Sequence, residues 1–238
     1  MTVADEHIVS QILASHQAYD ILDKASQRLQ QEARQRQAFY ALIHENVKAE
    51  FINGQTVMHS PVRGRHWMAS INISTAMHTY VKQHKLGLVG VEKVMISLSR
   101  NDYEPDIVFF NAQKSSSFTR SQMLYPAPDL VVEILSERTE ATDRTIKFED
   151  YAAHGIAEYW IVDAELGTLE QYLHKNGSYY LHVKLAREGL LHCKTIPGFV
   201  LNIAEVFSGD VPPPGRAVNP GFSVNFLWQS PNAAKDST

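Results

Sequence analysis

The stretch Ala127-Pro128-Asp129-Leu130-Val131-Val132-Glu133-Ile134-Leu135-Ser136 constrains this chain more than any other. Leu130, Val131, Val132, Ile134 and Leu135 make a near-continuous apolar run, the pattern of a strand buried on both faces. Glu133 lies inside it. An ionised carboxylate there is costly unless it is paired or binds a cation. The fold must therefore hide this strand in a sheet and bring partners to Glu133.

The chain can build such a core. It has 238 residues, of which 44% are hydrophobic, enough for one domain of ordinary or slightly large size. A net charge of −4 argues against a strongly basic nucleic-acid coat protein and leaves a local basic patch open. Cys193 is the one cysteine, so neither an internal disulfide nor a cysteine-rich zinc site can form. The opening MTVADEHIVSQ lacks the basic start and apolar core of a signal peptide. No apolar run approaches the ~18 residues of a membrane span. The expectation is a cytoplasmic protein without a membrane anchor.

Residues 5–38 contain no Gly or Pro and read as one long helix. Ile8, Ile12, Tyr19, Leu22 and Leu29 follow a heptad-like track, interrupted by Ser15 and Ser26. That helix packs either on its own domain or against a second subunit. Residues 48–60 read as a hairpin turned by Asn53-Gly54. A helix follows over 65–82, with Ala69, Ile73, Ala76, Met77, Tyr80 and Val81 on one face. The next strands are one built from 89–91 with 94–98, one at 104–110, and the 128–136 strand. A helix to Gly155, with Thr139, Thr142 and Asp143 as N-cap candidates, precedes a buried strand at 158–163. Shorter strands are expected at 168–174, 178–184 and 190–195, and a helical turn at 203–207. Pro-rich residues after 208 read as a flexible tail. The fold class is α/β, a mixed α+β sheet with helices on its faces.

Three groups converge in this scheme. Asp106 follows Pro105 at the start of one strand, and Glu133 lies on the next. On neighbouring strands the two carboxylates would repel unless a cation sits between them, and hard oxygen ligands favour Mg²⁺ or Mn²⁺. Asp143, Lys147 and Tyr151 are spaced by four on the following helix and share a face. Two carboxylates, a divalent ion and a lysine suit phosphodiester hydrolysis.

Asp106, Glu133 and Lys147, in this order on strand, strand and helix, resemble the PD-(D/E)XK nuclease superfamily. More narrowly, the chain resembles the Uma-type family of restriction-endonuclease-like proteins over roughly residues 45–208. The matching pieces are Glu50-Phe51-Ile52-Asn53-Gly54, Ser60-Pro61 with His66, Glu104-Pro105-Asp106, Pro128 through Glu133 to Ser136, Lys147 with Tyr151, Gly155 through Tyr159-Trp160 to Asp163, and Pro197-Gly198-Phe199 with Phe207. The resemblance implies a restriction-endonuclease-like core, helix-strand-strand-strand-helix-strand, carrying an extra N-terminal helix and a C-terminal β extension. The implied domains are a helical extension (1–44), the nuclease-like domain (45–208) and the tail (209–238). Asp106, Glu133 and the backbone carbonyl of Ile134 would be the metal ligands, and Lys147 the catalytic lysine. The simplest superfamily pattern has lysine two residues after the glutamate; here Leu135 stands there, and the next helix supplies Lys147. The implied activity is a Mg²⁺- or Mn²⁺-dependent DNA endonuclease. A homodimer is expected with it, since duplex cleavage needs two cuts and two-fold dimers are the commonest assemblies.

Plainer readings stand beside these. Asp129 also follows a proline and either joins the site or caps its strand. Glu50 completes an acidic cluster or is a solvated hairpin residue. His66 faces substrate or is a structural residue at a helix N-terminus, and Tyr151 is catalytic or else fills the core or supports the lysine. A direct Glu133–Lys147 ion pair would make the protein an inactive nuclease-fold module for nucleic-acid or protein binding.

Overall fold

In the computed structural model, residues 3–43 and 47–209 are described, and the chain begins with two helices where one was expected. Helix α1 (Val3–Ala14) ends at Ser15, and α2 (Ala18–Leu42) restarts three residues later. The hydroxyl of Ser15 accepts the Gln17 N–H at 3.1 Å. A serine that bonds nearby backbone competes with helix continuation. Ile8, Tyr19, Leu22 and Leu29 are exposed on these helices, so the apolar track does not pack on its own domain. Instead α2 docks through its C-terminal end. Phe39 is buried with Ala49, Phe51 and Met95. Arg36 donates to both carboxylate oxygens of the buried Asp102 at 2.6 and 2.7 Å, and Tyr40 Oη adds a bond at 2.9 Å.

The Asn53-Gly54 hairpin forms. Strands β1 (Ala49–Ile52) and β2 (Gln55–Met58) pair antiparallel, with φ of 48° and 82° at the two turn residues, as a type I′ turn requires. Helix α3 (Gly64–His84) buries Ala69, Ile73, Met77 and Val81 along one stripe.

The strand expected over 89–98 is two strands in two sheets. β3 (Gly87–Val91) and β4 (Met95–Ser97) part at Glu92, whose φ is +57°. At Gly87 a Cβ would stand 2.0 Å from the Phe110 carbonyl oxygen, which is why glycine opens β3 against its neighbour. The strand expected over 104–110 starts three residues later, and a separate two-residue strand precedes it. Asp102–Tyr103 (β5) belongs to the smaller sheet, and β6 (Ile107–Asn111) starts beyond Pro105, which has no N–H for a ladder. A short helix α4 (Ala112–Ser115) and β7 (Leu124–Tyr125) lead to the expected buried strand, β8 (Leu130–Ile134). The helix that follows is broken into α5 (Glu140–Arg144) and α6 (Ile146–Ala153) at Thr145, whose hydroxyl bonds back to the Ala141 carbonyl. Then come β9 (Glu158–Asp163), β10 (Thr168–Lys175), β11 (Ser178–Ala186), β12 (Leu190–His192), β13 (Val200–Asn202) and α7 (Ile203–Val206).

The larger sheet has the order β11-β10-β9-β8-β6-β3, the smaller β2-β1-β5-β4-β7, and β12-β13 forms a ribbon. Strand β8 is antiparallel to β6 and parallel to β9. Alternation along β6, β8 and β9 divides the interior into two cores. Ile107, Phe109, Leu130, Val132, Trp160 and Val162 face α3, α7 and the ribbon. Val108, Phe110, Val131, Tyr159 and Ile161 face α6 and the smaller sheet, which contributes Ile52, Ile96, Leu98 and Tyr103. The result is layered: α3, the larger sheet, α6 beside the smaller sheet, and then the end of α2. Met1–Phe207 form one compact unit. Except for Gly209, the tail expected over 209–238 lies outside the described residues. Among the described residues no helix is long and apolar enough to cross a membrane.

Candidate active site

The antiparallel ladder between β6 and β8 pairs Ile107 with Val132. One step further in that register sets Asp106 opposite Glu133, on the face toward α6. Facing carboxylates on adjacent strands repel. The structure separates the two by what each oxygen meets. Asp106 Oδ2 accepts the Ile134 N–H at 2.8 Å, a side-chain bond just beyond the β6–β8 ladder. His66 Nε2, from the first turn of α3, lies 3.3 Å from the same oxygen. Lys48 Nζ lies 3.9 Å from Asp106 Oδ1.

Glu133 is met from the other side. Its Oε1 accepts hydrogen bonds from Lys147 Nζ at 3.0 Å and Tyr151 Oη at 2.8 Å. Lys147 is 2% exposed. Around its ammonium stand Glu133 and Glu50 at 3.0 Å each and Asp143 at 3.1 Å, one carboxylate for each proton. The four-residue spacing of Asp143, Lys147 and Tyr151 survives the break at Thr145, because α5 and α6 remain nearly continuous there.

Glu50 comes from β1 of the smaller sheet. Its Oε1 also accepts the Glu104 N–H at 2.9 Å, and Glu104 in return accepts the Ala49 N–H at 3.0 Å. His59 Nε2 sits 3.3 Å from Glu50 Oε2. Lys147 thus bridges Glu50 of one sheet and Glu133 of the other.

Charge is unevenly shared in this cluster. Burial favours a neutral Glu50, but Lys147 and His59 outweigh it and hold the carboxyl down to about 2. Glu133 goes the other way. Burial raises it well above the ordinary range, Lys147 opposes this, and Asp143, Asp106 and Glu50 add to the rise. Burial likewise raises Asp143. Asp106 is lowered: its burial is overcome by His66 and Lys48. Burial would lower Lys147, yet Glu133, Glu50 and Asp143 together keep it firmly charged. One ammonium cannot neutralise three buried acids, so the deficit falls on Glu133 and Asp143.

The family is established by sequence. A model described as "Uma2: Putative restriction endonuclease" matches residues 36–204. The chain belongs to the Uma2 family. A solved structure, titled as a "putative nuclease belonging to DUF820" from Anabaena variabilis ATCC 29413, superposes with a TM-score of 0.61 at 18% identity. The match covers 71% of this chain and 94% of that one, and it shows a shared nuclease-type fold. No curated protein matches the chain.

Of the residues singled out from the sequence, Asp106, Glu133, Lys147, Glu50, His66 and Tyr151 meet in this one place. Asp129 does not. It lies at the far end of β8, where its carboxylate accepts the Asn111 N–H at 2.7 Å and pairs with Lys114 at 3.0 Å. It secures the start of the strand, about 13 Å from Glu133 at ordinary strand rise. Glu104, beside Asp106 in the matching piece, and Lys48, His59 and Glu92, which the local sequence pattern does not single out, also reach the cluster. They approach from turns and strand ends, and only the folded chain brings them together.

The donor set suits a small hard cation. Among the described residues no three His, Cys, Asp or Glu side chains form a metal-holding group. Mg²⁺ is ordinarily held by one or two carboxylates plus water and substrate oxygens. Asp106 and Glu133 are such a pair. The two bonds to Glu133 both fall on Oε1, and those to Asp106 from Ile134 and His66 fall on Oδ2.

Proposed function

We propose that this Uma2-family protein is a Mg²⁺- or Mn²⁺-dependent endonuclease that hydrolyses phosphodiester bonds in DNA. The observation that carries this is Asp106 and Glu133 facing each other in register, with Glu133 short of positive charge despite Lys147. Asp106, Glu133 and the Ile134 carbonyl would hold the ion. When bound, it supplies Lewis acidity at a phosphoryl oxygen and an acidified water. Lys147, the lysine of the motif, fixes Glu133 Oε1 and so holds that carboxylate toward the ion. Tyr151 orients Glu133, and Glu50 and Asp143 hold Lys147 in place. Two copies related by a two-fold axis would cut both strands.

The test is calorimetric titration with Mn²⁺ alongside cleavage of supercoiled plasmid, for wild type, D106N and E133Q. Wild type is expected to bind the ion and nick DNA, and both variants to lose each property. Wild-type protein that binds no divalent ion and cuts no DNA across metals and pH defeats the proposal. Light scattering at micromolar concentration tests the dimer, and a monomer mass refutes it. The direct Glu133–Lys147 bond favours a second reading, an inactive binding module of the same fold. DNA binding without ion binding would select it.

A further inference from the structure

Lys147 has no proton to spare: three carboxylates within 3.1 Å occupy its ammonium, and it is shut away from solvent. A substrate phosphate arriving at Asp106 therefore needs its positive charge from elsewhere. Among the described residues, Lys48 is the one lysine or arginine within 4.0 Å of Asp106. It lies just before β1 and keeps 21% of its side chain exposed, so it lies between the buried cluster and solvent.

Its present partner is Glu92, at the turn where β3 and β4 part. Glu92 is 41% exposed, and its own N–H donates to the Asp106 carbonyl at 2.9 Å. The turn is thereby pinned to the backbone of the metal-ligand candidate, and its carboxylate is set on the lysine beside it. A carboxylate and a phosphate are both oxyanions that a lysine ammonium accepts as a point charge. Because Glu92 is the more exposed partner, a phosphodiester oxygen can take its place on the lysine while the displaced carboxylate moves into water.

We propose that Lys48 is the phosphate-contacting cation of this site, and that Glu92 occupies its place until a nucleic-acid phosphodiester displaces it. This rests on the nuclease reading for the identity of the ligand, a DNA phosphate. It adds a residue with a defined role. Lys48 draws the phosphodiester to the Asp106 edge, while Lys147 serves Glu133 from the buried side. The net acidity of the cluster gives Glu92 a further effect. It weakens binding of any anion that does not reach Lys48.

The experiment uses the full chain and a fluorescein-labelled DNA duplex, read by anisotropy against KCl concentration in EDTA, so that binding is scored without cleavage. Each phosphate contact contributes roughly one unit to the slope of log K against log salt. K48A is expected to make that slope shallower by about one and to weaken binding about five- to tenfold at low salt. K48R is expected to restore both, since it keeps the charge. E92Q is expected to tighten binding about two- to fivefold, a gain that a merely structural Lys48–Glu92 pair would not produce. An unchanged slope in K48A, with E92Q no tighter than wild type, overturns the proposal. The nuclease reading is scored separately by plasmid cleavage in Mg²⁺ and Mn²⁺. Wild type that shows the Lys48 slope but never cuts defeats that reading and leaves the phosphate contact standing. Wild type that binds no duplex at any salt overturns both.

Discussion

Replacing Lys147 with methionine tests the charge arrangement of the site most directly. K147M keeps the aliphatic stem and removes the ammonium. Glu133 and Asp143 then lose the cation about 3 Å away, and Glu50 keeps only His59 at 3.3 Å. At an effective dielectric of about 20, one pair at 3 Å is worth roughly 5 kcal/mol of gross attraction. Relief from desolvating the lysine offsets a large part of the three together. Measured losses for removing one partner of a buried pair are about 3–5 kcal/mol. That is the expected destabilisation at neutral pH, and it corresponds to about 1–2 M in the urea midpoint for a usual denaturant dependence. The loss must depend on pH. Lys147 opposes the rise of Glu133 and Asp143 and lowers Glu50, so without it the first two rise further above their unfolded values and Glu50 loses the strongest influence that lowers it. A raised folded value means stability that is present at low pH and lost as pH climbs through it. K147M should therefore fall further below wild type at pH 8 than near pH 5, where the loss of the Glu50 pair remains. Adding E133Q to K147M should recover part of the loss, since one charge fewer is left unpaired. A K147M midpoint within about 0.3 M of wild type at both pH values would refute the charge assignment.

Other substitutions probe the framework. Glu158 is fully buried and accepts from Trp160 Nε1, Gln171 Nε2, Thr195 Oγ1 and the Lys194 and Thr195 amides; E158Q puts a donor among donors and should cost about 2–4 kcal/mol in urea unfolding. Asp102 anchors α2 through Arg36 and Tyr40; D102N should raise amide exchange in the C-terminal turns of α2 about tenfold or more, while β8 and β9 stay protected. Burial would raise Glu170, but hydrogen bonds from Arg144, Lys184 and Tyr172 hold it down to about 2. Its stabilisation is then complete above about pH 4.5 and lost as pH falls toward 2, so E170Q should be less stable by about 1–2 kcal/mol at pH 7 and no different near pH 2. The partners are partly exposed, which is why the figure is well below the full shift.

How far the sequence reveals this site depends on how local each signal is. Glu133 announces itself because five apolar neighbours make its charge anomalous, and the i, i+4 spacing of Asp143, Lys147 and Tyr151 is written in the helix. The opposition of Asp106 and Glu133 follows once their strands are taken as neighbours. The division into two sheets is less legible. β3 and β4 are both short and largely apolar, and what separates them is one left-handed residue, Glu92, of a type that rarely adopts that conformation. The breaks at Ser15 and Thr145 arise from single hydroxyl bonds to the backbone, which residue propensity does not register. Lys48 looks like any solvated lysine before a hairpin. Only the tertiary approach of the β3–β4 turn sets it apart.

The bridge that Lys147 makes between the sheets also orders events in time. Glu50 and Lys147 are about a hundred residues apart in sequence, so their meeting carries a large loop-closure cost. The β9–β10–β11 meander closes over short turns and needs no such encounter. Folding should reach the paired core strands first and the acidic cluster last. Contacts made late are also those whose loss chiefly accelerates unfolding. The groups assigned to chemistry are thus the latch of the native state, and weakening them should shorten its lifetime more than it slows folding.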